Sequence, residues 1–405
     1  MNIDLISYIK RQTYLDKVDP FINKGIIKVF TGQRRVGKSY LLYQVMDKVR
    51  VLEPKANIIY INKELDEFSS IVSYKDLLRY IADQVPKNQF KYIFIDEIQE
   101  IADFEKALRN LLAEGKCDIY CTGSNAVMLS GELATLLSGR YIEIKVFSLS
   151  FNEFLVFHHL ENNHESLIQY LKYGGLPYLM HLKLEEVIVY DYLKNIYSTI
   201  LFKDVVRRFN IRNIYFLENL VKFLADNCGS LVSSKKISDY LKSQKINISP
   251  QIVLNYIHYL EAAFLIFKVQ RVSVTGKKLF EIGEKYYFED IGLRNSIAGY
   301  KLTDMNKILE NVVHLHLVIS GYDVRVGKSG EKEIDFIGEK KGEKIYVQVC
   351  YLLSGEQVIS REFNNLLEVK DNYPKYVVSM DEIKGTSTYE GIKHVHLRDF
   401  ISQSQ

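Results

Sequence analysis

Proline is scarce in this chain, with six residues in 405. Linkers are therefore expected to be short and domains to abut. No internal repeat or low-complexity segment is present, which leaves no place for a repeat array or a long disordered tether. No apolar run approaches the ~20 residues that a membrane helix needs. The opening residues, Met1-Asn-Ile-Asp-Leu-Ile-Ser7, lack the basic and apolar blocks of a signal peptide. A cytoplasmic location without a membrane partner is the expectation. Cysteine is limited to Cys117, Cys121, Cys228 and Cys350. Cys117 and Cys121 fall on one expected strand, where four residues span about 13 Å, whereas a disulfide needs Cα atoms about 6 Å apart. No zinc-ligand spacing occurs, so reduced, buried thiols are expected. An excess of one charge is missing as well. The 53 basic and 50 acidic residues leave a net charge of +3, so bulk charge gives no argument for nucleic acid. What remains is the balance of a soluble globular protein, 47% hydrophobic and 25% charged. The length suits roughly two to four domains.

Against this background one motif stands out. Gly32-Gln33-Arg34-Arg35-Val36-Gly37-Lys38-Ser39 is a complete G-x-x-x-x-G-K-[ST] pattern. An apolar run, Gly25-Ile-Ile-Lys-Val-Phe30, leads into it, and Ser39-Tyr40-Leu-Leu-Tyr-Gln-Val-Met46 leads out at helical spacing. Strand, glycine loop and helix form the setting of a phosphate-binding loop. Glycine at 32 and 37 lets the backbone turn its N–H groups toward phosphate oxygens, and the helix N-terminus adds positive potential. Lys38 is expected to reach the β- and γ-phosphates and Ser39 to ligand Mg²⁺.

Tyr92-Ile-Phe-Ile-Asp96-Glu97 is a run of four apolar residues ending in two carboxylates. Asp96 is the expected second Mg²⁺ residue, and Glu97 the group that orients and deprotonates the attacking water. A polar residue after the next strand, Asn125 or Ser124 in Thr122-Gly-Ser-Asn125, is the candidate γ-phosphate sensor. Arg140, just before the fifth strand, is the candidate arginine finger for a neighbouring copy, which raises a homo-oligomer. Asn62-Lys63-Glu64-Leu65 lacks the aspartate of a guanine-specificity motif, so adenine is favoured.

The coarse pattern divides the chain into four. Residues 1–149 alternate short apolar runs with helical segments. The runs Val29-Phe30, Ile58–Ile61, Tyr92–Ile95, Asp118–Cys121 and Tyr141–Ile144 suit strands buried on both faces of a parallel sheet. Residues 150–213 read as helical, interrupted by Gly174-Gly-Leu-Pro177. Residues 214–300 read as three helices and a hairpin, Phe264–Val269 with Lys278–Ile282, which is winged-helix order. Its third helix is expected to expose Gln251, Asn255, His258 and Tyr259, groups able to reach base edges. Residues 301–405 read as an αβββαβ unit.

Taken together, Gly32–Ser39, Phe94–Gln99, Thr122–Asn125, Leu137–Arg140, Phe147–Phe154, Gly174–Pro177 and Lys285–Asn295 resemble the prokaryotic AAA-type ATPases with a C-terminal domain of unknown function. That family belongs to the origin-recognition and signal-transduction branch. The resemblance implies an α/β fold: a P-loop NTPase αβα sandwich with a helical lid. It further implies that Pro177 touches adenine and that the lid closes over ATP or ADP. The last unit is similar to the restriction-endonuclease-like fold, with Glu310, Asp335 and Gln348 in the ligand-like positions. Cys350 stands where that fold carries its lysine, and a thiol cannot replace an ammonium there. Lys332 is the one candidate to reach in, and a degenerate, non-cleaving site is expected. The reading is an ATP- and Mg²⁺-dependent ATPase acting on DNA or on a protein partner, with an ATP-regulated nuclease as a further alternative.

Overall fold

A computed structural model describes residues 8–126, 137, 139–243, 247–273, 283–329, 332–382 and 387–403. The chain forms two compact units. The first runs to Phe147 and includes Ala262–Phe264; the second comprises Ser148–Glu261 and the chain from Leu265 onward.

In the first unit the five expected strands are all present. The order along the chain is α1 (Gln12–Val18), β1 (Ile27–Thr31), α2 (Lys38–Leu52), β2 (Ile58–Asn62), α3 (Tyr74–Gln84), β3 (Lys91–Asp96), α4 (Phe104–Glu114), β4 (Cys117–Gly123) and β5 (Tyr141–Lys145). The sheet runs β2-β3-β4-β1-β5 with every neighbouring pair parallel. β1, β3 and β4 are buried at every position, which is why their sequences are almost continuously apolar. Each buried Ile, Val or Leu contributes roughly 1.5–3 kcal/mol. The exception inside β1 is Lys28, which is fully buried. It bonds to Asp118 on β4 and lies 4.4 Å from the Tyr120 ring centroid, as a buried charge requires. Local chemistry sets the helix ends. Ser73 and Asp76 form a capping box at α3, and α4 stops at Gly115 in the left-handed region, φ +67°. Among the described residues all four cysteines are free and buried.

The second unit opens with α5 (Phe151–His158), α6 (His164–Tyr173), a 3₁₀ turn (Pro177–His181) and α7 (Glu186–Thr199). α7 runs on into a π-helical stretch, Ile200–Arg207, a rare geometry that spacing alone does not reveal. Three helices follow: α8 (Ile214–Asp226), α9 (Ser234–Ser243) and α10 (Pro250–Ala262). Next come β6 (Ile266–Ser273), β7 (Glu284–Phe288), α11 (Ile291–Ala298), α12 (Met305–Ile319), β8 (Asp323–Ser329), β9 (Lys332–Lys340) and β10 (Glu343–Val349). The chain finishes with α13 (Glu356–Leu367), β11 (Lys375–Ser379), β12 (Ser387–Tyr389), β13 (Ile392–His396) and α14 (Leu397–Ser402).

The hairpin differs from the sequence expectation in two ways. Its described second strand is β7, and 278–282 lies outside the described residues. It is also not a free wing. β6 pairs antiparallel with β7 through Ile266–Gln270 and parallel with β8 through Arg271–Ser273. One eight-stranded mixed sheet results, ordered β12-β13-β11-β10-β9-β8-β6-β7. The expected αβββαβ order holds as α12-β8-β9-β10-α13-β11. The expectation omits β12, β13 and α14, because β12 is exposed throughout and β13 is diluted by His394 and His396. Among the described residues no helix is long and apolar enough to cross a membrane.

Candidate functional site

The site is built where β1, β3 and β4 end. Gly32 follows β1 with φ +151°, and a Cβ there would stand 2.1 Å from the Val146 carbonyl oxygen. Gly37 has φ +94° and caps α2. Both positions therefore require glycine, for close approach in one case and a left-handed turn in the other. The loop between them is braced from inside. The buried Lys38 ammonium donates to the carbonyls of Gly32 and Gln33, each at 2.9 Å. Gln33 is fully buried. Its Nε2 donates to the Phe264 carbonyl at 3.0 Å, and its Oε1 has no hydrogen-bond partner among the described residues. Arg34 is buried and pairs with Glu64 at 3.1 Å. Arg35 is exposed with φ +71°. Val36 is buried, and Tyr40 is half exposed with its ring edge-on to Tyr43 at 5.9 Å.

Arg11 enters this site without any signal in the sequence. Its buried guanidinium donates to the Val36 carbonyl at 2.9 Å and to the Phe147 carbonyl at 3.0 Å. It also lies over the Tyr14 ring, 4.5 Å from the centroid. One nitrogen, Nη1, gives its two protons to the two carbonyls, which converge from distant segments.

Asp96 and Glu97 follow at the end of β3. One hydroxyl organises both: Thr122 Oγ1 donates to Asp96 and accepts from the Glu97 backbone N–H at 2.8 Å. The Ser39 hydroxyl also helps to stabilise the Asp96 carboxylate. Burial pushes the Asp96 carboxyl above its ordinary value, opposed by the bonds from Ser39 and Thr122. Glu97 adopts a left-handed backbone, φ +57°, which costs a non-glycine residue about 1–3 kcal/mol. Its Oε2 accepts from Ser124 Oγ at 3.2 Å and from Gln99 Nε2. Burial pushes Glu97 up, but the charges of Lys38 and Arg34 and the bonds from Gln99 and Ser124 outweigh it. The carboxyl is held below its ordinary value. Thr122 and Gln99 thus join the candidate set; both sit inside the recognised segments, where their roles are not marked.

The donor set suits a hard divalent cation. The hydroxyl of Ser39, at the start of α2, acts on the Asp96 carboxylate, and oxygen ligands of this kind are what Mg²⁺ takes. Asn125 is buried one residue beyond Ser124, and Arg140 is exposed at the start of β5. Pro177 opens the 3₁₀ turn of the second unit. The preceding glycines there are pinned by buried Asp290, whose Oδ2 accepts from the Gly175 N–H at 2.7 Å.

The second unit gathers another polar cluster. Glu310 on α12, Asp335 on β9 and Gln348 on β10 do converge. The Gln348 side-chain oxygen accepts from the Asp335 N–H at 3.3 Å, and Asp335 Oδ2 accepts from the Val349 N–H at 2.9 Å. The expected lysine is different. Lys332 pairs with Glu368 at 2.6 Å near the surface. The ammonium among the carboxylates is that of Lys285 on β7. Lys285 lies 63 positions before the matching strand segment at Gln348, and no spacing rule links them. Cys350 is buried, which pushes its thiol up. On α10, Gln251, Asn255 and His258 are exposed as expected. Tyr259 is not: it is half-buried and stacked on Phe209, centroids 4.2 Å apart.

Two stretches of the chain match known families. Residues 24–155 match the family model described as an AAA domain, and residues 164–304 match a domain of unknown function. An uncharacterized protein of Haemophilus influenzae is 37% identical over 404 residues, 98% of this chain and 99% of the relative. An uncharacterized protein of Methanocaldococcus jannaschii is 33% identical over 345 residues, 81% of this chain and 75% of the relative. Among solved structures, a Walker-type ATPase of Pyrococcus abyssi has a TM-score of 0.48 at 14% identity, covering 73% of this chain and 99% of that one.

Proposed function

The chain belongs to the family of P-loop AAA-type ATPases that carry a domain of unknown function behind the ATPase domain, and from that premise we propose that it hydrolyses ATP to switch its C-terminal region. The observation that carries this is the array Lys38, Ser39, Asp96 and Glu97, in which Thr122 ties the two acids together. The loop Gly32–Tyr40 cradles the phosphates through its N–H groups and the start of α2. Lys38 offsets charge on the β- and γ-phosphate oxygens. Ser39 and Asp96 would hold Mg²⁺, which when bound neutralises the same oxygens. Glu97, anionic beside Lys38 and Arg34, takes the proton of the attacking water. Gln99 and Ser124 fix the aim of its carboxylate. Asn125 senses the γ-phosphate, and Pro177 packs on adenine. Arg140, being exposed, acts on the nucleotide of a neighbouring copy of the chain.

DNA is the proposed downstream partner of residues 214–300. Support comes from the exposed Gln251, Asn255 and His258 of α10, from Lys235, Lys236 and Lys242 in the same segment, and from Arg207, Arg208 and Arg212 just before it, which suit phosphates. A protein partner is the second reading. It is favoured by Ile252 and Leu254, 40% and 38% exposed on the same helix. The test is the steady-state ATPase rate of wild type and Glu97→Gln, with and without duplex DNA, at low and high salt. A duplex-stimulated rate that fades with salt and is absent in Glu97→Gln supports the first reading. Hydrolysis indifferent to any duplex or single strand at low salt removes DNA and leaves the protein partner.

A further inference from the structure

Gln33 is part of the phosphate-binding loop, yet its side chain is fully buried. Its Nε2 donates at 3.0 Å to the carbonyl of Phe264, 231 positions away. Its Oε1 has no hydrogen-bond partner among the described residues. A buried amide with one end unused is costly. Packing alone would be served better by an apolar side chain.

The acceptor is as unusual as the donor. Phe264 has φ +55°, in the left-handed region that a bulky side chain rarely adopts. It closes Ala262–Phe264, a buried tripeptide that belongs to the first unit, while Glu261 and Leu265 on either side belong to the second. α10 ends at Ala262 and β6 begins at Ile266. The chain therefore passes through Phe264 between the helix proposed to meet DNA and a strand of the eight-stranded sheet. The Leu265 N–H, next in line, donates to the Leu260 carbonyl at 3.0 Å.

The main chain of Gln33 is tied to Lys38. The Lys38 ammonium donates to the carbonyls of Gly32 and Gln33, each at 2.9 Å. Phosphate oxygens carry charge and are stronger acceptors than carbonyls. A phosphate held by Lys38 therefore competes with the Gln33 carbonyl for the same protons. Gln33 is thus held at two ends, its carbonyl by Lys38 and its side chain by Phe264. Hydrogen-bonded chains carry coupling when their links have two arrangements.

We propose that Gln33 is the relay between bound phosphate and the junction at Ala262–Phe264. Phosphate draws Lys38 off the Gln33 carbonyl, the loop residue shifts, and its Nε2 leaves the Phe264 carbonyl. The left-handed turn at Phe264 loses a support, and α10 and β6 are loosened at their shared root. The relay rests on the reading that the loop binds ATP, and it specifies how that site reaches the C-terminal region. Gln33 acts in it as a positioning residue.

The test is amide hydrogen exchange at Leu265 in the full chain. The ligands are a non-hydrolysable ATP analogue and inorganic tripolyphosphate, each with Mg²⁺ and at a saturation set by titration of each protein. Both ligands should speed exchange of the Leu265 amide by about three- to tenfold, the effect of one lost hydrogen bond. Gln33→Leu fills the space but cannot donate, so it should exchange at the faster rate with or without ligand. Three results overturn the relay. One is an unchanged Leu265 in wild type with ligand bound. Another is a response to the ATP analogue but none to bound tripolyphosphate, which would place the trigger at the base. The third is a ligand response in Gln33→Leu equal to that of wild type. The first two need no variant. A chain that binds neither ligand removes the ATP reading itself, and the relay with it.

Discussion

The Arg11 guanidinium donates at 2.9 Å to the carbonyl of Val36, in the middle of the phosphate-binding loop. The two residues are 25 positions apart, and the same side chain reaches the Phe147 carbonyl, 136 positions away. The shape of the loop thus depends on a buried side chain that carries no motif. Arg11→Ala leaves two carbonyls without their donor, at about 1–3 kcal/mol each. The variant should melt at lower temperature and bind ATP more weakly. Arg11→Lys should recover only part of either, because an ammonium can serve the carbonyls but lacks the planar group that lies over the Tyr14 ring. Calorimetric melting and nucleotide titration read the two effects.

Gly32 is the least replaceable residue of the loop. A Cβ would meet the Val146 carbonyl oxygen at 2.1 Å, and φ +151° disfavours any L side chain. Gly32→Ala should cost about 1–3 kcal/mol or more from overpacking and abolish nucleotide binding in whatever fraction stays folded. Gly115→Ala is the control. It also has positive φ, +67°, but nothing lies within 4 Å of the added carbon. It should lose stability modestly and keep nucleotide affinity.

Acid should act through His314. Burial lowers its pKa from 6.5 to about 3, and the ring lies stacked on Tyr287 and near Phe267 and Phe336. Between these two values the unfolded chain binds a proton that the folded chain refuses. The contribution is therefore fully present above pH 6.5 and is lost as pH falls toward about 3. His314→Phe removes this dependence while filling the same aromatic site. Its stability relative to wild type should grow by about 1.4 kcal/mol per pH unit below 6.5. Comparing the two proteins cancels the other titrating groups. Denaturant melts at pH 8 and pH 5 give the answer; a pH-independent difference would show that His314 is not held neutral.

The first unit was legible because burial on both faces writes itself into composition. Ile93, Ile95, Ile119 and Cys121 leave almost no surface, so their strands appear as apolar runs. The acids at 96 and 97 were legible for the same reason, as the first carboxylates after such a run. What spacing does not encode is convergence across long separations. Arg11 at the loop, Lys285 among the carboxylates and the joining of β6 to β8 all depend on tertiary pairing. Tyr259 was misplaced because its helical position faces outward, while Phe209, outside that helix, covers it. The π-helical stretch 200–207 follows from no periodicity that α-helical reading tests.

The central claim is that Glu97 activates water for a nucleotide held by Lys38, Ser39 and Asp96. It is tested most directly by measuring ATP affinity and single-turnover hydrolysis together in Glu97→Gln. The account predicts ATP binding close to wild type, with hydrolysis slowed by about 10²–10⁴-fold. Hydrolysis at the wild-type rate in this variant, with ATP bound, would contradict it.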